Sequence, residues 1–535
     1  MRLASMMTHR VSPRGPRIGA PAFPRWPIPV LLLAVLVGNL AYVGWACPFD
    51  LAPDEAHYWD WSRRLDWCYY SKGPLVALLI RGSCELFGHS AFAVRLPAVV
   101  SGVALLAGMA KLAHQVTGDR RFAFLVLSAA STLPGITAAG LLMTIDGPFL
   151  ACWAWAAVCV QSALFRLSGG EVWQPWCLAG VLVAVGLLAK LTMLAFPVGV
   201  ALMLMQQRRH RTRLFVPFLM IGGLGLIPML VWNLRQDGVG LLHAVGHSGH
   251  RDPWPGLLGP VAFLGGQFGL LLGVWFIAWL RAMVTLRPTS HPRTALFWWL
   301  SAPLFAVCSF ASFRTLGQPN WPAAAYVTGF ILAMVWIRDH WSSRAVRRAV
   351  FFALVLGFGC SVYLRWPGSV RPVLAVFAGT PTEDRPAPVR QFDPTARLHG
   401  WIELAKEVDS VREGVFAETG DEPLIAGMTW TVPGELGFYC RGNPRVYSFG
   451  LALADRFSQY DLWRPNPVLD AQEFRGRTFV YIGEALPEGA FDRMEPVRTV
   501  TPMRDGVPVA SWKIWIGRGF RGFGPLAERG HPLRY

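Results

Sequence analysis

The chain has 535 residues, of which 53% are hydrophobic and only 16% charged, with 24 Trp and 33 Phe; this balance excludes an ordinary soluble globular protein and makes a multi-spanning membrane protein the first expectation. The formal net charge of +17 does not mark a nucleic-acid binder, because the basic residues punctuate apolar runs at short connections instead of gathering on one segment. The nine cysteines contain no CxxC pair, so no zinc cage or disulfide framework follows, although Cys47, Cys68 and Cys84 share one candidate loop where a single disulfide and three free thiols are both open readings.

Residues 1–26 are rich in Arg and Pro and precede an apolar run with no clear cleavage site, which reads as a disordered cytoplasmic tail followed by an uncleaved first span. Apolar windows near span length then recur over Pro27 to Ala46, Phe92 to His114, Phe122 to Ala139, Gly147 to Phe165, Trp176 to Ala189, Leu191 to Met205, Leu214 to Trp232, Leu258 to Leu280, Ala295 to Phe313, Trp321 to Ile337 and Val350 to Leu364. About 11 transmembrane helices over residues 27–366 is the expectation, with the fifth and sixth short and meeting at Lys190. Threading the chain with its N-terminus inside puts roughly 20 Lys and Arg on one side against about 9 on the other, a positive-inside asymmetry that leaves the C-terminus outside the cell membrane.

The first external loop, residues 47–91, opens on Pro53-Asp54-Glu55-Ala56-His57-Tyr58-Trp59. Two adjacent carboxylates at a bilayer surface are costly without a use. An amphipathic helix over Ala56 to Arg64, lying in the interface with Tyr58, Trp59 and Trp61 at headgroup level, would hold Asp54 and Glu55 at its N-terminus. There Asp54 could cap the helix or act as a general base. Leu75 to Phe87 is too short to span and suits a re-entrant or interfacial helix, with Lys72 and Arg95 as cations near headgroup depth, suited to a lipid phosphate or to simple snorkelling.

Asp146 is a lone acid at the outer mouth between two spans, and Lys190 has the same logic and could pair with an acid. His243, His247 and His250 have spacings that can ligate a metal but lack a placed carboxylate or Cys. Residues 367–535 change texture to a small extracytoplasmic α/β domain, with a helix over Leu398 to Val411 and strands over Pro423 to Met428, Arg445 to Phe449, Thr478 to Ile482 and Val509 to Ile516. Walker and GxGxxG loops are missing, which disfavours a nucleotide-driven pump.

The runs DEAHYWDWSRRLDWCYYSKGPLVALLI, FAVRLPAVVSG, TIDGP, LLAKLT, VWN and QPNWPAAAY, with ARLHGWIELAKEV and ELGFYCRGNPRVYS in the C-terminal part, resemble the bacterial GT-C fold glycosyltransferases of the family-39 type. Relatives of these include protein O-mannosyltransferases and lipid A aminoarabinose transferases. The resemblance implies transfer of a sugar, generally with inversion, from a polyprenyl-phosphate-linked donor to a hydroxyl of a glycan, lipid or protein acceptor at the bilayer's extracytoplasmic face. It implies Asp54 as the catalytic acid with Glu55 beside it, Asp146 as the second acid, and Lys72 and Arg95 at matching positions; Lys190 joins these as a third donor-phosphate cation, and His57, Tyr58 and Tyr70 as substrate contacts. Ser71 stands where the aminoarabinose branch has Glu before the Lys, so no metal held by that Glu is inherited; a divalent metal stays an open companion and no other cofactor is expected. The alternative is a multi-spanning transporter or flippase of a lipid-linked glycan, although repeated halves and midplane charges are lacking.

Overall fold

The computed structural model describes residues 23–165, 172–207, 214–243, 258–314, 317–453, 455–486 and 489–524. The chain is a multi-pass α-helical membrane protein closed at one end by a mixed sheet. Among the described residues, six helices are long and apolar enough to cross a membrane: Pro27–Ala46, Ala91–Thr117, Asp146–Phe165, Phe215–Arg235, Pro292–Ala311 and Arg344–Tyr363.

Against the expectation of about 11 spans, three segments are built differently and two are as short as expected. Leu258–Leu270 and Val274–Thr285 form a pair bent by 108°, where Leu272 and Gly273 take left-handed backbone conformations; counted as one span, the pair brings the total to seven. Phe122 to Ala139 is broken into Arg120–Ala130 and Pro134–Ala139, since Pro134 has no N–H with which to continue a helix. Trp173–Ala189 and Leu191–Gln207 are short, as the sequence suggested, and meet at Lys190 in an extended conformation. Ala323–Asp339 falls just under span length because it starts only after Pro322.

The helix of the first loop runs from Pro53 to Arg63, but its tryptophans are not exposed to headgroups. Trp59 and Trp61 are wholly buried because a second helix, Thr431–Tyr439, packs across it. Gly434 permits that approach: a Cβ there would sit 2.8 Å from Ala56 C and His57 N. Leu75–Phe87 does keep an exposed apolar side at Leu78, Leu86 and Phe87, as an interfacial helix should.

The sheet beyond the spans has the order β2-β1-β3-β7-β4, with β1 (Leu424–Gly427) parallel to β2 (Val446–Ser448) and β3 (Phe479–Ile482), and β7 (Trp512–Phe520) antiparallel to β3 and to β4 (Phe491–Val500). The short apolar run of β1 is buried, as a central parallel strand requires. A small hairpin, β5 (Met503–Arg504) with β6 (Val507–Pro508), lies between β4 and β7. Helices Trp401–Thr419 and Thr431–Tyr439 cover one face of the sheet, and Phe449, Phe479, Tyr481, Phe491 and Phe520 cluster on the other.

Candidate active site

Several hydrogen bonds involving the backbone tie the first loop to the C-terminal part, among them Asp50 N–H to Leu398 O at 3.0 Å. Leu51 N–H donates to Tyr439 Oη at 2.6 Å, Tyr70 N–H to Gln459 Oε1 at 2.8 Å and Trp401 N–H to Asp50 Oδ2 at 2.9 Å, while Arg63 Nη2 donates to Asn443 O at 2.8 Å. The loop's shape therefore depends on residues more than 300 positions away. Removing residues 371–535 is expected to abolish activity outright, not to change acceptor preference; a truncated protein that keeps its turnover rate in a direct assay contradicts this.

The adjacent acids of the first loop have opposite surroundings. Glu55 is 0% exposed. Its carboxylate accepts from Ala52 N–H at 2.9 Å, Met143 N–H at 2.8 Å and Arg95 Nη2 at 2.9 Å. Arg95 in turn gives its remaining donors to Phe49 O at 3.2 Å, Asp50 O at 2.6 Å and Cys47 Sγ at 3.2 Å. This corrects two expectations: Arg95 has no donor left for a phosphate, and Glu55 has neither exposure nor a free oxygen for chemistry. Asp54 does not cap the helix, because the N-cap position falls on Ala52 and Asp54 is already the second residue inside it.

Asp54 makes no hydrogen bond or ion pair among the described residues. It opens into a cleft of about 440 Å³ between the loop helix and the sheet, with Arg397, Thr429, Trp430, Thr431 and Trp401 around it. Burial raises its pKa above the ordinary carboxylate value, and Arg397, Lys72 and Arg456 pull it part of the way back.

Lys72 and Lys190 face a second cavity of about 190 Å³ with Tyr70, Thr192 and Asn233. Gly73 brings them together, since a Cβ at that position would lie 2.1 Å from Leu188 O; any other residue would lift the loop off the end of helix Trp173–Ala189. Burial and the neighbouring Lys190 charge lower the Lys72 pKa, and Asp54 and Asp146 partly restore it. Lys72 has no salt bridge among the described residues. Lys190 Nζ, by contrast, donates to Asp146 Oδ1 at 2.7 Å, and Asn320 Nδ2 holds the other oxygen at 2.9 Å. Asp146 and Asn320 also stand at one end of an apolar pocket of about 290 Å³ between spans, lined by Leu105, Met109, Ile136, Leu270 and Tyr326.

The three remaining predicted contacts divide. Tyr58 is near both acids, and the Asp54 and Asp146 charges add to burial in raising its phenol pKa. Tyr70 lines the lysine cavity, its ring 4.4 Å from that of His243. His57 is buried among Trp61, Trp430 and Tyr460, and burial pushes its pKa down to about 3. His247 and His250 lie outside the described residues. Cys47, Cys68 and Cys84 are free thiols, and no group of three His, Cys, Asp or Glu side chains among the described residues is arranged to hold a metal.

Sequence reasoning missed Arg397, Arg456 and Asn320. Asn320 stood in the QPNWPAAAY run, where its place beside a lone acid could not be read from spacing. Arg397 and Arg456 come from a segment far along the chain, and Arg456 is held over the Trp430 ring at 4.7 Å.

Residues 71–232 match the family model described as dolichyl-phosphate-mannose-protein mannosyltransferase. Lipid A galacturonosyltransferase RgtD of Rhizobium johnstonii is 27% identical over 331 residues, a stretch covering 61% of this chain and 64% of RgtD. ArnT from Cupriavidus metallidurans matches in its apo state with a TM-score of 0.61 and 15% identity, and in its complex with undecaprenyl phosphate with 0.58 and 16%, each over 91% of this chain and 97% of ArnT. The architecture is thus that of the GT-C fold, a multi-spanning helical body with its first loop held under a C-terminal sheet. The likeness to the mannosyltransferase family model is confined to residues 71–232, and the likeness to ArnT is one of fold.

Proposed function

We propose that this protein is a glycosyltransferase that moves a sugar from a polyprenyl-phosphate-linked donor to an acceptor hydroxyl at the extracytoplasmic face of the cell membrane. The observation that carries the reading is one unpaired carboxylate, Asp54, in electrostatic reach of Lys72, beside a small cavity to which Lys72 and Lys190 both contribute.

In this reaction the acceptor oxygen attacks the anomeric carbon as the bond to the phosphate oxygen breaks, inverting that carbon. Asp54 takes the acceptor proton. Lys72 and Lys190 stabilise the charge gathering on the departing phosphate, while Asp146 and Asn320 hold Lys190 in place. Glu55 and Arg95 shape the loop without touching substrate. The apolar pocket beside Asp146 suits the first units of the polyprenyl chain, and the cleft above Asp54, with its tryptophans and hydroxyls, suits the acceptor sugar or headgroup. The undecaprenyl phosphate bound by ArnT and the transferase activities of the relatives favour this over a flippase. A liposome assay separates the two: flux of lipid-linked glycan without a glycosylated product would favour transport.

The pH dependence has a defined sign. Asp54 works ionised, so turnover rises as pH climbs through its raised pKa. Arg397 and Arg456 lower that pKa; Arg397→Gln and Arg456→Gln are therefore expected to move the acid limb of the kcat/KM profile to higher pH. A limb that stays in place or moves down contradicts Asp54 as the base.

A further inference from the structure

Helix Arg371–Ala378 follows the last span by a few residues and is held to the C-terminal part by its first side chain. Arg371 Nε donates to Asp393 Oδ2 at 2.8 Å, Nη1 to Asp505 Oδ2 at 2.7 Å, and Nη2 lies 3.0 Å from His399 Nε2. One side of the helix, Leu374, Ala375 and Ala378, packs on Val389, Ala396 and Val509. The opposite side is bare: Val376 is 80% and Phe377 74% exposed, and Val370 and Val373 lie on the same face as Phe377 at intervals of three and four residues.

That face does not stand alone. Along the preceding span Arg344–Tyr363, the exposed apolar residues Phe351, Val355, Phe358 and Val362 form one stripe, and beyond its end Trp366, Val370 and Val373 are exposed as well. Beside it lies an open groove of about 820 Å³ walled by Ala375, Val376, Pro388, Val389, Met503 and Val507. Glu383 is the only ionisable side chain of its lining.

We infer that helix Arg371–Ala378 lies in the headgroup region of the adjacent leaflet and that the groove beside it holds an acyl chain of a membrane lipid. An exposed apolar helix that follows a membrane span by only a few residues meets lipid before it meets anything else. An amphipathic helix rooted at the end of a span also loses little freedom on settling there. An apolar surface of this extent facing water would otherwise be an association hazard. The Arg371 ion pairs fix the angle between the helix and the sheet, so the leaflet and the C-terminal part are coupled through this one element. The inference does not depend on Asp54 or on the transferase reading.

The test uses the full-length protein in phosphatidylethanolamine and phosphatidylglycerol vesicles, with a fraction of the phospholipid carrying a diazirine in the middle of one acyl chain. After illumination, mass spectrometry is expected to find lipid adducts on the peptide holding Val376 and Phe377 and on that holding Met503, as well as on the spans. The double variant Val376→Glu, Phe377→Glu should cut the Met503 adduct about tenfold while leaving adducts on Arg344–Tyr363 unchanged, which also reports that the variant is folded and inserted. Adducts confined to the spans would overturn the inference. So would an unchanged yield in the variant.

Discussion

Replacing Asp54 by Asn is expected to lower the turnover of purified protein by about 10²–10⁴-fold, the contribution of a positioned general base, while leaving its melting temperature almost unchanged. The two halves of this expectation come from the same fact. Asp54 makes no hydrogen bond or ion pair among the described residues, so the folded state loses little when the charge goes, whereas the reaction loses its proton acceptor. Melting curves and initial rates on one preparation check it. A variant that keeps full transfer contradicts the assignment of Asp54, and one that is inactive because it is unfolded contradicts the statement that Asp54 carries no structural contact.

Glu55→Gln is expected to do the reverse. The carboxylate is wholly buried against Arg95, and removing its charge leaves a guanidinium uncompensated among Cys47, Phe49 and Asp50. Breaking a buried pair in this way costs about 3–5 kcal/mol, a large share of the roughly 5–15 kcal/mol that holds an ordinary domain folded. Loss of folded protein on extraction is the expected reading, with any surviving fraction still turning over at near the native rate. Removing both charges, as Glu55→Leu with Arg95→Leu, should recover part of the lost stability, because two apolar side chains leave no orphaned ion. A Glu55→Gln protein with native stability and no activity would instead place Glu55 in the chemistry.

These opposite expectations for neighbouring residues show where the sequence stopped being legible. Cost alone marked both acids, because charge next to a span is rare whichever role it serves. Their separation depends on Met143 and Arg95, which the fold brings to Glu55 from 88 and 40 positions away. Lys190 was readable because a charge between two short apolar helices needs a partner, and Asp146 is that partner. The parallel strands β1, β2 and β3 were readable as short apolar runs bounded by turn residues.

Strand β4 was not, since FDRMEPVRTV is charged and contains Pro496; it is an edge strand whose register shifts between Pro496 and Arg498, where proline is tolerated. Helix Thr431–Tyr439 was hidden for a similar reason. Its Pro433, Gly434 and Gly437 argue against a helix locally, yet Gly434 is what allows the loop helix to dock. The first-loop tryptophans were misplaced at the interface because a membrane-facing and a domain-facing aromatic look alike in sequence.

The central claim, that this protein transfers sugar from a lipid phosphate with Asp54 as the base, meets its most direct test in one reconstituted assay. Purified full-length protein in liposomes would receive a radiolabelled polyprenyl-phosphate sugar and a membrane glycolipid extract as acceptor, with no nucleotide present. Label appearing in the acceptor fraction, with release of polyprenyl phosphate in equal amount and loss of both on Asp54→Asn, is the predicted result. Label that crosses the bilayer but stays on the polyprenyl carrier, or transfer that proceeds equally well in the Asp54→Asn protein, would contradict it.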